Sequence, residues 1–143
     1  NIYFVHFRAQ LHSEHGFGPD RSEATARLGS LQRAGAPFAL HSDFNLVVTP
    51  LSPLLAAWCA VNRLGADGET VMAPGERISV DSALRAITID AAYILNRDDR
   101  LGSIEVGKHA DFTILNDDPY EVAAEKIKDI EVHDTVLEGE PTN

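Results

Sequence analysis

Apolar side chains fall into short blocks along this chain, and their period switches repeatedly between that of a strand and that of a helix, with Gly, Pro and Asp marking most of the switches. Ile2 to Phe7 is rich in β-branched and aromatic residues and predicts a strand. Asp20 is placed to cap a helix whose inner stripe is Ala24, Leu28 and Leu31, and Gly35 ends it. Phe38, Ala39 and Leu40 then have the length and apolarity of a strand covered on both faces, and this run stops abruptly at His41-Ser42-Asp43. Strand, helix and strand in that order predict a right-handed α/β crossover.

Pro53 opens a second helix with Leu54, Trp58 and Val61 on its inner face, closed by Asn62-Arg-Leu-Gly65, and Gly68 to Gly75 is a loop. Ser79 caps a third helix with the core stripe Val80, Ala83, Leu84 and Ile87. A break near Thr88 to Asp90 restarts the chain as a short fourth helix through Ala91, Ala92 and Leu95. Beyond Leu101 the texture changes. Gly102 to Lys108 is a turn-rich connector, and Ala110 to Leu115 alternates as a half-buried strand does. Asp117-Asp-Pro119 turns the chain, Glu121 to Lys128 makes a helical turn, and Ile130 to Leu137 is a second strand ending at Glu138-Gly139. A hairpin begins there, with its completing strand expected to be missing.

At 143 residues and 44% hydrophobic content the chain is the size of one domain and can bury a core. A formal net charge of -10, with 12 scattered Lys and Arg residues, argues against a nucleic-acid or anionic-membrane surface. The single cysteine, Cys59, lies in an apolar run and reads as a small buried hydrophobe in a reducing, cytoplasmic setting. The longest apolar run, Pro53 to Val61, is far below the ~20 residues of a spanning helix. The chain opens on Asn1 and runs straight into Ile2-Tyr-Phe-Val5, which reads as the middle of a protein whose upstream part supplies that segment's neighbours.

The candidate chemistry lies at the ends of the first two predicted strands. A carboxylate at the carboxyl end of a buried strand, Asp43, with His41 two residues before it, is where parallel α/β enzymes keep ligands and catalytic groups. His6, His12 and His15 invite a metal reading, but His12 and His15 lack the four-residue separation that sets two imidazoles on one zinc, so His6 carries that reading best. His109, His133, Lys108 and the Asp117-Asp118 pair read as surface or turn residues.

The run Ala83-Leu-Arg-Ala-Ile-Thr-Ile-Asp-Ala-Ala-Tyr93, followed by Leu101-Gly-Ser-Ile-Glu-Val-Gly-Lys-His-Ala-Asp-Phe-Thr-Ile-Leu-Asn-Asp-Asp-Pro119, resembles the carboxyl-terminal part of the amidohydrolase superfamily, in particular the amidohydrolase 3, YtcJ-like metal-dependent hydrolases. The resemblance implies an α/β fold: residues 1–100 as the last strands and helices of a (β/α)8 barrel, residues 101–143 as part of a small β-sandwich. It implies that Asp43 ends barrel strand eight, as a metal ligand or as the base that collects the water proton. His41 and Ser42 then shape the site beside it, and His6 faces the substrate mouth. The implied cofactor is a divalent metal, zinc, in the complete enzyme, whose remaining ligands lie upstream. The implied reaction is hydrolysis of C–N bonds other than peptide bonds in a small amide. A catalytically silent module that assembles with another chain is the alternative. Unpaired strand edges lead to the further expectation of a homo-oligomer.

Overall fold

The structure is a computed structural model and describes residues 2–7, 16, 18–43 and 51–142. Its centre is a helix, α4 (Pro53–Asn62), in which Ala56, Ala57, Trp58, Cys59 and Ala60 are all buried. A helix that is apolar on every side is stable only when neighbours surround it. Four elements do so: α1 (Tyr3–Phe7) through Tyr3 and Val5, α5 (Val80–Ala86) through Ala83, the 3-10 segment Ala124–Asp129 through Ile127, and the loop bearing Met72 and Ala73. Ser52 caps α4 by accepting from the Leu55 amide, with Pro53 in the first turn where a missing N–H leaves nothing unsatisfied. Ser79 caps α5 in the same way through the Ser82 amide. The short α6 (Ile89–Ile94) follows after Thr88, as the sequence pattern predicts.

Two polar groups on α4 tie the distant carboxyl-terminal region to it. Trp58 Nε1 donates to Glu125 O at 2.8 Å, and Asn62 Nδ2 donates to Ala124 O at 3.0 Å. The 3-10 segment leads into a three-stranded antiparallel sheet of β1 (Phe112–Leu115), β2 (Val132–Leu137) and β3 (Glu140–Pro141), in the order β1-β2-β3. The molecule is thus a mixed arrangement of helices and one small sheet. No helix among the described residues is long and apolar enough to cross a membrane.

Five sequence expectations are corrected. Ile2 to Phe7 is not a strand: Tyr3–Phe7 is the helix α1, because the neighbours Ile2 and Tyr3 are both buried, together with Val5, which one helical turn against α4 allows and an alternating strand does not. The helix expected from Asp20 through Leu31 is two pieces, α2 (Pro19–Ser22) and α3 (Leu28–Arg33). The Arg63 guanidinium takes the Thr25 and Ala26 carbonyls, which a continuous helix would need for its own amides, and Ala26 turns left-handed at φ 47°. Phe38 to Leu40 is extended but belongs to no strand; its Leu40 amide bonds instead to Ala86 O, at the end of α5, at 3.0 Å. Finally, the hairpin after Gly139 does close, through β3, while β1 lacks the expected alternation because both of its ends are half-buried and its middle is exposed.

The resemblance-bearing stretch Gly102 to Lys108 is a turn held by its own side chains. Ser103 Oγ donates to Glu105 Oε1 at 2.7 Å and accepts from Lys108 Nζ at 2.6 Å. The Ser103 hydroxyl, with the Lys108 charge behind it, holds the Glu105 carboxyl below its usual range. Gly102 sits at φ 88°, and a Cβ there would lie 2.7 Å from Ile89 Cα, so this turn presses on the backbone of α6. Gly35, by contrast, sits at φ 65° with open space around it.

Two outcomes follow from these contacts. Arg63→Met removes the guanidinium donor from the Met72, Ala26 and Thr25 carbonyls, of which Ala26 O keeps the Leu28 amide. It lowers stability by about 3 kcal/mol in urea unfolding, and Arg63→Lys recovers only part of that; a Met variant as stable as the parent would contradict the role given to this residue. Gly102→Ala adds backbone collision to left-handed strain and lowers the melting temperature more than Gly35→Ala, which adds strain alone.

Candidate functional site

The His41–Asp43 tip is positioned from two sides. Upstream, α3 ends at Gly35, where the Ala36 amide returns to Leu31 O. Downstream, Phe38 and Leu40 pack against the core and Leu40 is tied to α5. α3 itself lacks a side-chain cap at Arg27; Glu76, 46 positions after Ser30, supplies one by accepting from the Ser30 amide at 2.6 Å and the Ser30 hydroxyl at 2.5 Å. The Ser30 hydroxyl is the main reason the Glu76 carboxyl lies below its usual range, with Arg33 and Arg27 adding to it.

Beside the tip is a cleft of about 190 Å³. Tyr3, Leu40, His41, Ser42 and Ile87 form its walls, and the amino-terminal end of α4, from Leu51 to Ala56, lies beneath. Tyr3 Oη donates to Ser52 O at 2.7 Å, which fixes α1 against the start of α4. Burial, reinforced by the neighbouring Cys59, pushes the Tyr3 phenol up to about 12 in spite of that hydrogen bond. Burial also pushes the Cys59 thiol up to about 12, so it is a neutral hydrophobe and not a nucleophile at pH 7.

The three sequence-predicted site residues part company here. His41 is exposed and lines the cleft. Asp43 is half-buried two residues on, with its backbone in the left-handed region at φ 55°, and is not one of the lining residues. His6 lies elsewhere: its Nδ1 donates to Leu64 O at 2.8 Å, its ring meets Trp58 edge-on at 5.2 Å, and its carbonyl accepts from the Ala66 amide. That set of contacts makes His6 a clasp between α1 and the segment after α4. His12 and His15 lie outside the described residues, His109 faces Glu138 at 3.8 Å on the surface, and His133 is exposed on β2. Among the described residues no group of three or more His, Cys, Asp or Glu could hold a metal ion, so these side chains alone do not fit a zinc shell.

Residues 3–142 match the family model described as the amidohydrolase family. The chain belongs to the amidohydrolase family. Over 110 residues, 77% of this amidohydrolase chain, it is 34% identical to the N-substituted formamide deformylase of Arthrobacter pascens, covering 20% of that protein. Over 46 residues, 32% of the chain, it is 48% identical to the imidazolonepropionase of Bacteroides thetaiotaomicron, covering 11% of that protein. An amidohydrolase from Thermotoga maritima MSB8 superposes with a TM-score of 0.43 at 19% identity, over 90% of this chain and 36% of that one. The chain therefore spans about a fifth or less of the length of these two sequence relatives.

The sequence reading finds the tip of this amidohydrolase chain but misses Tyr3, Ser30 and Glu76. Tyr3 sits in a segment read as a strand, and the Ser30–Glu76 cap spans a separation that no local pattern reports. Tyr3→Phe gives a test of the cleft's electrostatics. A phenol raised to about 12 contributes stability that is whole below its ordinary value of about 10 and is lost as pH rises through 12. The variant should lose the most alkaline step in the ultraviolet titration of tyrosine and show a flatter fall in stability between about pH 10 and 12; an unchanged titration would contradict the burial argument.

Proposed function

We propose that this chain is the carboxyl-terminal portion of a hydrolase that cleaves C–N bonds other than peptide bonds in small amides. The observation that carries the reading is the family match across residues 3–142, supported by the similarity to a formamide deformylase over 77% of the chain. In this reading Phe38–Asp43 takes the place of the last barrel strand and β1 to β3 form part of a flanking sandwich, with strand partners outside the described residues. Asp43 takes the proton released by the attacking water and returns it to the departing nitrogen, while His41 contacts the substrate at the cleft rim. A divalent metal such as zinc would draw its ligands from outside the described residues, and a homo-oligomer would cover exposed apolar residues such as Leu95 and Val106.

The test is Asp43→Asn in the complete protein. Asn tolerates the left-handed backbone and keeps the side chain's shape while removing the base. Hydrolysis of N-substituted formamides should fall by about 10²- to 10⁴-fold with the melting temperature held within a degree or two. Retention of full activity would remove Asp43 from the chemistry, and the absence of hydrolysis in the unaltered complete protein would favour a silent module.

A further inference from the structure

We infer that the cleft beside the His41–Asp43 tip is a subsite for a compact, uncharged, apolar substituent on the amide, an inference that rests on the hydrolase reading above. Six of its nine lining residues, Tyr3, Leu40, Leu51, Pro53, Ala56 and Ile87, are apolar or aromatic, and the other three are His41, Ser42 and Ser52. Two of the polar groups have work within the fold: the Tyr3 hydroxyl is given to Ser52 O, and the Ser52 hydroxyl accepts from the Leu55 amide. A charged group seated against Tyr3, Leu40, Pro53, Ala56 and Ile87 would lose water there, with the exposed His41 as the one ionisable imidazole or carboxyl side chain of the lining, which disfavours it relative to an apolar group. An apolar group would replace water against aliphatic and aromatic carbon.

Size points the same way. A dry apolar cavity of about 150 Å³ accepts benzene in another protein, and this cleft has about 190 Å³. It therefore suits a group of about four to six carbons, but not a peptide chain. Its position fits a substituent next to the bond that is cut, because His41 lines the same cleft and Asp43 follows it by two residues. Ile87 and Leu51 set its limits: Ile87 is half-buried at the end of α5, and Leu51, 67% exposed, stands at the edge.

The experiment uses the complete protein and two substrate series. One comprises formamides carrying methyl, propyl, butyl and cyclohexyl groups on nitrogen; the other comprises N-methyl amides whose acyl group grows in the same way. Each has counterparts ending in a carboxylate. In one of the two series kcat/KM should rise about fourfold per added methylene until the cyclohexyl member, and the carboxylate counterparts should lose that gain. Ile87→Ala should shift the optimum to larger groups, and Leu51→Glu should reduce the ratio of butyl to methyl turnover. Binding of the cyclohexyl member to Asp43→Asn protein, followed through the Ile87 methyl and Tyr3 ring resonances, reads the cleft independently of turnover. Hydrolysis with a flat response in both series, unaltered by either variant, overturns the inference and leaves the hydrolase reading standing. Perturbation of Ile87 and Tyr3 without hydrolysis of any member supports the apolar cleft and overturns the hydrolase reading.

Discussion

The arrangement of the chain around α4 depends on one buried cation. Arg63 is fully buried, and its guanidinium donates to Met72 O at 2.7 Å, Ala26 O at 2.9 Å and Thr25 O at 2.7 Å. Removing a guanidinium from water is costly, and burial lowers this one from its ordinary value to about 10, more than the charge of Glu76 raises it. It remains protonated at neutral pH, because three charge-assisted hydrogen bonds to carbonyls compensate the lost hydration. Arg63 also ends α4, with φ at 55° and its amide bonded to Cys59 O, so the helix terminus and the three carbonyls are fixed by one residue.

The consequences reach the candidate site through α3. Because Thr25 and Ala26 face the guanidinium, the helix started at Pro19 cannot continue, and α3 begins afresh at Leu28. That fresh start leaves amides unsatisfied at its first turn, and Glu76 satisfies the Ser30 amide from across the fold. Gly29 permits the approach: a Cβ there would lie 2.8 Å from Glu76 Cα. Arg63, Glu76 and Gly29 together orient α3, whose end at Gly35 launches the extended segment to Asp43. A second anchoring system, Trp58 and Asn62 to the Ala124–Asp129 segment, ties the chain that leads into β2 to the same helix. Neither system uses the side chains of the tip.

What the sequence reveals divides along the same line. The Ser79 cap, the helices opened at Pro53 and Ser79 and the turn at Asp117 to Pro119 are local, and each is set by residues within four positions of one another. These are legible because a hydroxyl or carboxylate and the amide it serves are close in sequence. The character of Ile2 to Phe7 is not: its β-branched and aromatic side chains favour a strand locally, and burial against α4 decides for a helix. The break at Ala26 is equally illegible, since its cause lies 37 residues away. At the site, His41 and Asp43 are found because an apolar run ends on them, whereas Tyr3 enters the cleft only through the packing of α1. His6 stands apart from them: its Nδ1 and its carbonyl are both committed to the 64–66 segment, and it does not line the cleft.

This division bears on how the tip can work. The backbone hydrogen bond from Leu40 to Ala86 and the half-buried Phe38 and Leu40 side chains are among the contacts that attach the Gly35–Asp43 segment to the core. Asp43 then takes a left-handed conformation, which for a residue with a Cβ costs on the order of 1 kcal/mol and persists only where the surroundings hold it. The segment that carries it leaves α3, which Arg63 and Glu76 position through Ala26 and Ser30. Under the proton-transfer role proposed for Asp43, small changes in the path of α3 would matter, because an error of one ångström is enough to weaken proton transfer severely. The buried guanidinium thus governs where α3 begins, and through α3 the path of the chain towards Asp43.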